Sequence, residues 1–137
     1  MLKRLRISLV SVLVITLINP VNAYATKFPG VLKKISVPSP EKDYPTRTVD
    51  VWTPPVPDDQ LANLPVVYLL HGWPGSPNGM MSGAINALND AFTNGTKPFI
   101  AVFPDGNALT HVDSEWADSY DKKAMVETWL TTNVIKA

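Results

Sequence analysis

The sequence predicts an α/β fold in which an antiparallel hairpin precedes a parallel strand-helix-strand unit and a final helix. Three observations predict it. Val66 to Leu70, VVYLL, is an unbroken apolar run bounded by Pro65 and by Gly72, Pro74 and Gly75, which reads as a strand buried on both faces in the middle of a parallel sheet. Pro98 to Pro104, PFIAVFP, is a second run of the same kind. Between them Met81, Ile85, Leu88 and Phe92 recur at helical spacing, and a strand, a helix and a strand in succession form a crossover with both strands parallel.

The first 25 residues are set apart from that fold. Lys3, Arg4 and Arg6 precede the apolar run Ile7 to Ile18, and Ala23-Tyr24-Ala25 supplies the small-x-small pattern of a signal peptidase site. An apolar run of about 12 residues spans about 18 Å as a helix, short of the roughly 30 Å hydrocarbon core. The expectation is a cleaved signal peptide over 1–25, no stable membrane anchor afterwards, and a secreted, periplasmic or cell-envelope location. Removing 1–25 leaves 9 Lys and Arg against 12 Asp and Glu, a charge of −3.

The remaining elements follow in chain order. Val31 to Val37 alternates loosely, PSPEKDYP turns the chain, and Thr46 to Thr53, TRTVDVWT, places Val49, Val51 and Thr53 on one face. These two strands read as an antiparallel hairpin at a sheet edge, ended by Pro54 and Pro55. After the His71-Gly72 turn, Asn78 or Ser82 is expected to cap a helix that stops at Asn94-Gly95. Asp105-Gly106-Asn107 turns the chain after the second buried strand. Residues 108–120 carry His111, Asp113, Glu115, Trp116 and Asp118 without periodicity and read as a functional or capping loop beside His71. From Lys122 to Ala137, Met125, Trp129 and Val134 fall near one face of a last helix.

Composition narrows the function classes. Hydrophobic residues make up 45% and charged residues 18%, and formal net charge is zero, so the chain is a globular domain with nothing to favour nucleic acid. With no cysteine, a packed core alone must hold an exported domain together. The 13 prolines punctuate turns rather than build a linker. Gly72, Gly75 and Gly79 are followed by no Lys-Ser or Lys-Thr, which excludes a P-loop, and the acidic loop matches no cation-binding pattern. No metal and no cofactor is expected.

Taken together, the hairpin ending in VDVWTPP, the strand ending in LLHGWPGS, the strand ending in AVFPDG, then SEWADSY and ETWLTTNVI resemble the start of the esterase D and antigen 85 branch of the α/β-hydrolases. The resemblance covers about Val31 to Ala137. It implies the N-terminal half of an α/β-hydrolase sheet and an enzyme that hydrolyses or transfers acyl groups of carboxylic esters, with a small-molecule, lipid or sugar ester as substrate. Acyl transfer of this kind needs a nucleophilic serine, a histidine, an acid and two backbone N–H groups for the oxyanion. The resemblance assigns one of those N–H groups to Trp73, the residue after His71-Gly72. His71, Gly72 and Trp116 are the candidates for the substrate pocket.

The remaining catalytic parts have no counterpart. No G-x-S-x-G occurs: Ser76 lies between Gly75 and Pro77, and Ser82 has Met80 where the first glycine belongs. In this fold serine, acid and histidine follow one another along the chain, so neither His71 nor His111 takes the role of base, and no residue is assigned as catalytic. Residues 26–137 therefore read as an incomplete esterase domain ending before the nucleophile elbow and inactive alone. Its apolar strand Val66 to Leu70 would then lack a neighbour and promote self-association. The competing reading is a non-catalytic exported module that binds carbohydrate or lipid through Trp52, Trp73 and Trp116, which burial of Trp52 would disfavour.

Overall fold

The computed structural model describes residues 29–109 and 113–137; the signal-peptide expectation for 1–25 and any role of His111 fall outside them. Four strands form one sheet in the order β1-β2-β4-β3. β1 (Val31–Pro38) and β2 (Thr46–Thr53) make the expected antiparallel hairpin, in register from Val31 opposite Thr53 to Pro38 opposite Thr46. β2 also pairs antiparallel with β4 (Ile100–Phe103), and β3 (Val66–Tyr68) pairs parallel with β4. A short helix α1 (Asp58–Leu61) leads into β3, and α2 (Pro77–Thr93) connects β3 to β4, as the spacing of its apolar residues predicts.

Side-chain alternation builds a core on each face of this sheet. On one face Val37, Val49 and Val102 pack with Trp129 and Val134. On the other Trp52, Ala101 and Phe103 meet Met81 of α2, with Ile85 and Leu88 packed against them. Because successive strand residues point to opposite faces, Ala101 and Phe103 face the helix while Val102 faces the C-terminal segment. The result is a three-layer α/β arrangement, with α2 above the sheet and residues 126–134 below it.

Three boundaries differ from the sequence reading. α2 is capped by Ser76, whose hydroxyl accepts from Gly79 N at 3.2 Å, ahead of Asn78 or Ser82, because Pro77 has no N–H to satisfy and suits the first helical position. At the other end Asn94-Gly95 does stop it. Gly95 adopts φ 88°, and Gly95 N and Thr96 N donate back to Phe92 O and Ala91 O, a Schellman closure that favours glycine.

The last helix begins later than Lys122. Asp118 pairs with Met125 as a β-bridge, Ser119 N donates to Ala124 O, and this loop delays α3 to Val126–Thr128, continued by a π-turn over Trp129–Val134. Asp118 then receives Thr128 N at 3.0 Å and Thr128 Oγ1 at 2.5 Å. A carboxylate is favoured at that position by the partial positive charge of a helix start.

β3 is the main correction. It is three residues long instead of five, and it lies at the sheet edge, the position expected of it in an incomplete domain and not the middle that its apolar run suggests, with Val66 45% and Val67 39% exposed. Among the described residues only β4 pairs with it, so its outer backbone edge stays open. An apolar run reports that a strand is suited to burial; it does not report which neighbours are there to bury it.

Candidate functional site

The turn after β3 and the turn after β4 meet at one end of the sheet. This is the carboxyl end of a parallel pair, where open α/β sheets place their ligands. His71 sits between the two turns and is 7% exposed. Its Nε2 accepts from Gly106 N at 3.1 Å, and its Nδ1 lies 3.2 Å from Gly72 O. An imidazole that accepts at Nε2 carries its proton on Nδ1, so Nδ1–H donates to Gly72 O. Asp105 Oδ1 stands 3.3 Å from the same Nε2.

The loop after residue 112 closes the third side. Trp116 Nε1 donates to His71 O at 3.0 Å, and the two rings meet edge to face with centroids 5.2 Å apart. Ser114 Oγ donates to Gly106 O at 2.6 Å and accepts from Trp116 N at 3.1 Å. Glu115 and Trp116 adopt φ 48° and 60°, a region costly for non-glycine residues and held only where surrounding contacts enforce it. Those contacts here are the two hydrogen bonds of Trp116 and the close approach of its indole to Gly106, where an added Cβ would lie 2.8 Å from the ring.

These three segments enclose a cleft of about 280 Å³. His71, Gly72, Trp73 and Trp116, all four candidates from the sequence, line it. Trp73 is 59% exposed and stands at the mouth of the cleft, while Trp116 is half-buried. Sequence reasoning missed Gly106, Asn107 and Ser114, which also line it, although Asp105-Gly106-Asn107 was visible as a turn. Asp113 and Glu115 complete the rim.

Beneath the cleft lies a buried charge that sequence reasoning did not find. Arg47, on β2, is 1% exposed. It pairs with buried Glu41 at 3.3 Å, donates to Asp105 O at 2.6 Å and to Asn107 O, and stacks its guanidinium 4.3 Å from the Trp129 ring centroid. Desolvation lowers its pKa from the usual guanidinium value, and the neighbouring Glu41, Asp105 and Tyr44 act in the opposite direction. Glu41 Oε1 also accepts from Met125 N at 3.0 Å. One ion pair thus joins the hairpin turn, the turn that holds Gly106 against His71, and the start of α3. The only hint in the sequence was a charged residue at an alternate strand position, which usually marks a solvated face.

Among the described residues no group of three or more His, Cys, Asp or Glu is arranged to hold a metal ion, and no helix is long and apolar enough to cross a membrane.

No protein-family profile matches the sequence, and no curated protein matches it. Solved structures do. A ferulic acid esterase from Anaeromyces mucronatus in complex with ferulic acid superposes with a TM-score of 0.58 at 21% identity, over 83% of this chain and 45% of that one. A second ferulic acid esterase gives 0.57 at 19% identity, over 80% and 42%. A mutant of the feruloyl esterase module from Clostridium thermocellum, complexed with sinapinate, gives 0.50 at 24% identity, over 61% and 30%. At such identities the likeness is one of fold. The chain spans less than half the length of these structures, and over that span its mixed sheet and flanking helices are part of an α/β-hydrolase fold.

Proposed function

We propose that this chain is the N-terminal part of an exported serine esterase or acyltransferase acting on carboxylic esters, within the esterase D and antigen 85 branch of the α/β-hydrolases. The observation that carries the reading is the convergence of His71, Gly72, Trp73 and Trp116 on one cleft, although Trp116 is more than forty residues from the others. Solved esterases of like fold hold ferulic acid or sinapinate, which supports a small aromatic acid as the acyl part of the substrate.

In the reaction a serine attacks the ester carbonyl and the carbonyl oxygen gains negative charge. Trp73 N–H stabilises that oxygen, together with the N–H that follows the nucleophile. A backbone donor is effective because it is fixed before the charge develops. The half-buried Trp116 and the exposed Trp73 offer flat apolar surfaces for an aromatic acyl group, and the bonds from Gly106 N–H and to Gly72 O hold the His71 ring as part of the cleft wall. The nucleophile itself belongs to no G-x-S-x-G in this chain, so turnover is assigned to the longer protein.

Reading the coding frame past Ala137 tests the proposal. A frame that continues into a strand and G-x-S-x-G supports it; a stop codon there overturns it in favour of a non-catalytic module. That second reading drew on Trp52, Trp73 and Trp116. Trp52 is 1% exposed in the sheet, so it retains two tryptophans, both in the same cleft.

A further inference from the structure

We propose that the cleft discriminates by charge, taking the neutral ester and disfavouring the free carboxylate that hydrolysis makes from it. This rests on the reading of the cleft as the site for an aromatic acyl ester. Among the described lining residues, Asp113 and Glu115 bear negative charge at the rim and none bears a positive charge. His71 is held in the cleft wall by Gly106 N–H and Gly72 O, and Asp105, 39% exposed beside it, adds a third carboxylate. The buried cation Arg47 is not among the residues that line the cleft. It lies under the carbonyl oxygens of Asp105 and Asn107 and is paired with Glu41.

The chemistry of the reaction gives this arrangement a consequence. Ester and water yield an alcohol, a carboxylate and a proton, so an uncharged acyl group enters and an anion leaves. Like charges a few ångströms apart near a surface repel by an amount that salt reduces. The rim therefore opposes retention of the product while leaving the attraction of the tryptophan rings for the aromatic group intact. Asp113 and Glu115 act here as specificity residues, setting which charge state of one acyl skeleton is held.

The test uses methyl ferulate and ferulate at neutral pH, two probes that differ in the charge of the carboxyl group, with affinities measured by equilibrium dialysis against the intact chain. At low salt the ester should bind ~3–10-fold more tightly than the acid. In D113N/E115Q that ratio should fall to within about twofold, and roughly 0.5 M salt should reduce it in the parent chain. The ratio is the readout because the two probes also differ in apolar area, which the double variant does not alter. Equal affinities, tighter binding of the acid, or a ratio unchanged in D113N/E115Q overturns the charge rule and leaves the aromatic-ester reading standing. Failure of both probes to bind overturns the two together.

Discussion

Trp116 Nε1 donates to the main-chain oxygen of His71 at 3.0 Å, and this bond, with Gly106 N donating to His71 Nε2 and Asn107 Nδ2 donating to Gly75 O, ties the segment after β4 to the turn after β3. It gives the indole a partner at the one polar atom that would otherwise be stranded in a half-buried ring. W116F keeps an aromatic ring in the cleft and removes the donor. We expect it to cost about 1 kcal/mol of stability, read as a lower urea midpoint with an unchanged slope. A midpoint equal to that of the parent chain would show that the bond is not formed in solution.

Gly106 lies under the same indole. In G106A the new methyl would sit 2.8 Å from the Trp116 ring, so the ring must leave its place. The expected outcome is a red-shifted tryptophan emission and weaker binding of methyl ferulate. G72A is the steric control, since a Cβ there meets nothing within 4 Å. Its stability should stay within about 0.5 kcal/mol of the parent.

Arg47 and Glu41 form the buried pair under the cleft. R47M leaves the Glu41 carboxylate buried without its cation, a change that costs about 3–5 kcal/mol, a large share of the roughly 5–15 kcal/mol that holds a domain together. R47K should be intermediate, because an ammonium keeps the charge but lacks the planar fork that reaches Glu41 and two carbonyl oxygens at once. The double variant R47M/E41Q should recover part of the loss. Denaturant midpoints of the four chains measure this, and a double variant no more stable than R47M would count against pairing as the source of the effect.

The open edge of β3 carries the proposal of self-association. Val67 is exposed there, and a lysine on an edge strand discourages pairing with another strand. V67K should therefore raise the monomer fraction in sedimentation velocity. A parent chain that is already a monodisperse monomer with a sharp cooperative melt would dispose of the idea.

Catalysis supplies a fifth expectation. Without an elbow serine the chain should release no p-nitrophenol from a short-chain ester above a heat-killed control. Turnover that disappears when one of its serines is replaced would place a nucleophile where none has been assigned.

The strands and helices were largely legible because their signals are local. VVYLL and PFIAVFP mark two strands by composition, the hairpin shows in TRTVDVWT, and Met81, Ile85, Leu88 and Phe92 mark α2 by spacing. The caps were less legible: Pro77 moved the start of α2 to Ser76, and Asp118 reached across its loop to Thr128. Of the cleft, the sequence pointed to His71, Gly72, Trp73 and Trp116 through a resemblance, and to Asp105-Gly106-Asn107 only as a turn.

The sequence by itself determined the order of the elements, the two apolar faces of the sheet and the set of residues that chemistry would need, since each depends on periodicity or on neighbours in the chain. Tertiary structure alone decided that β3 shortens to three residues, that Arg47 is a buried clamp, and that Trp116 rests on His71 and Gly106. Those outcomes depend on contacts between residues far apart in the chain. Burial and hydrogen-bond satisfaction are set by which surfaces meet, and that information appears only once the chain has folded.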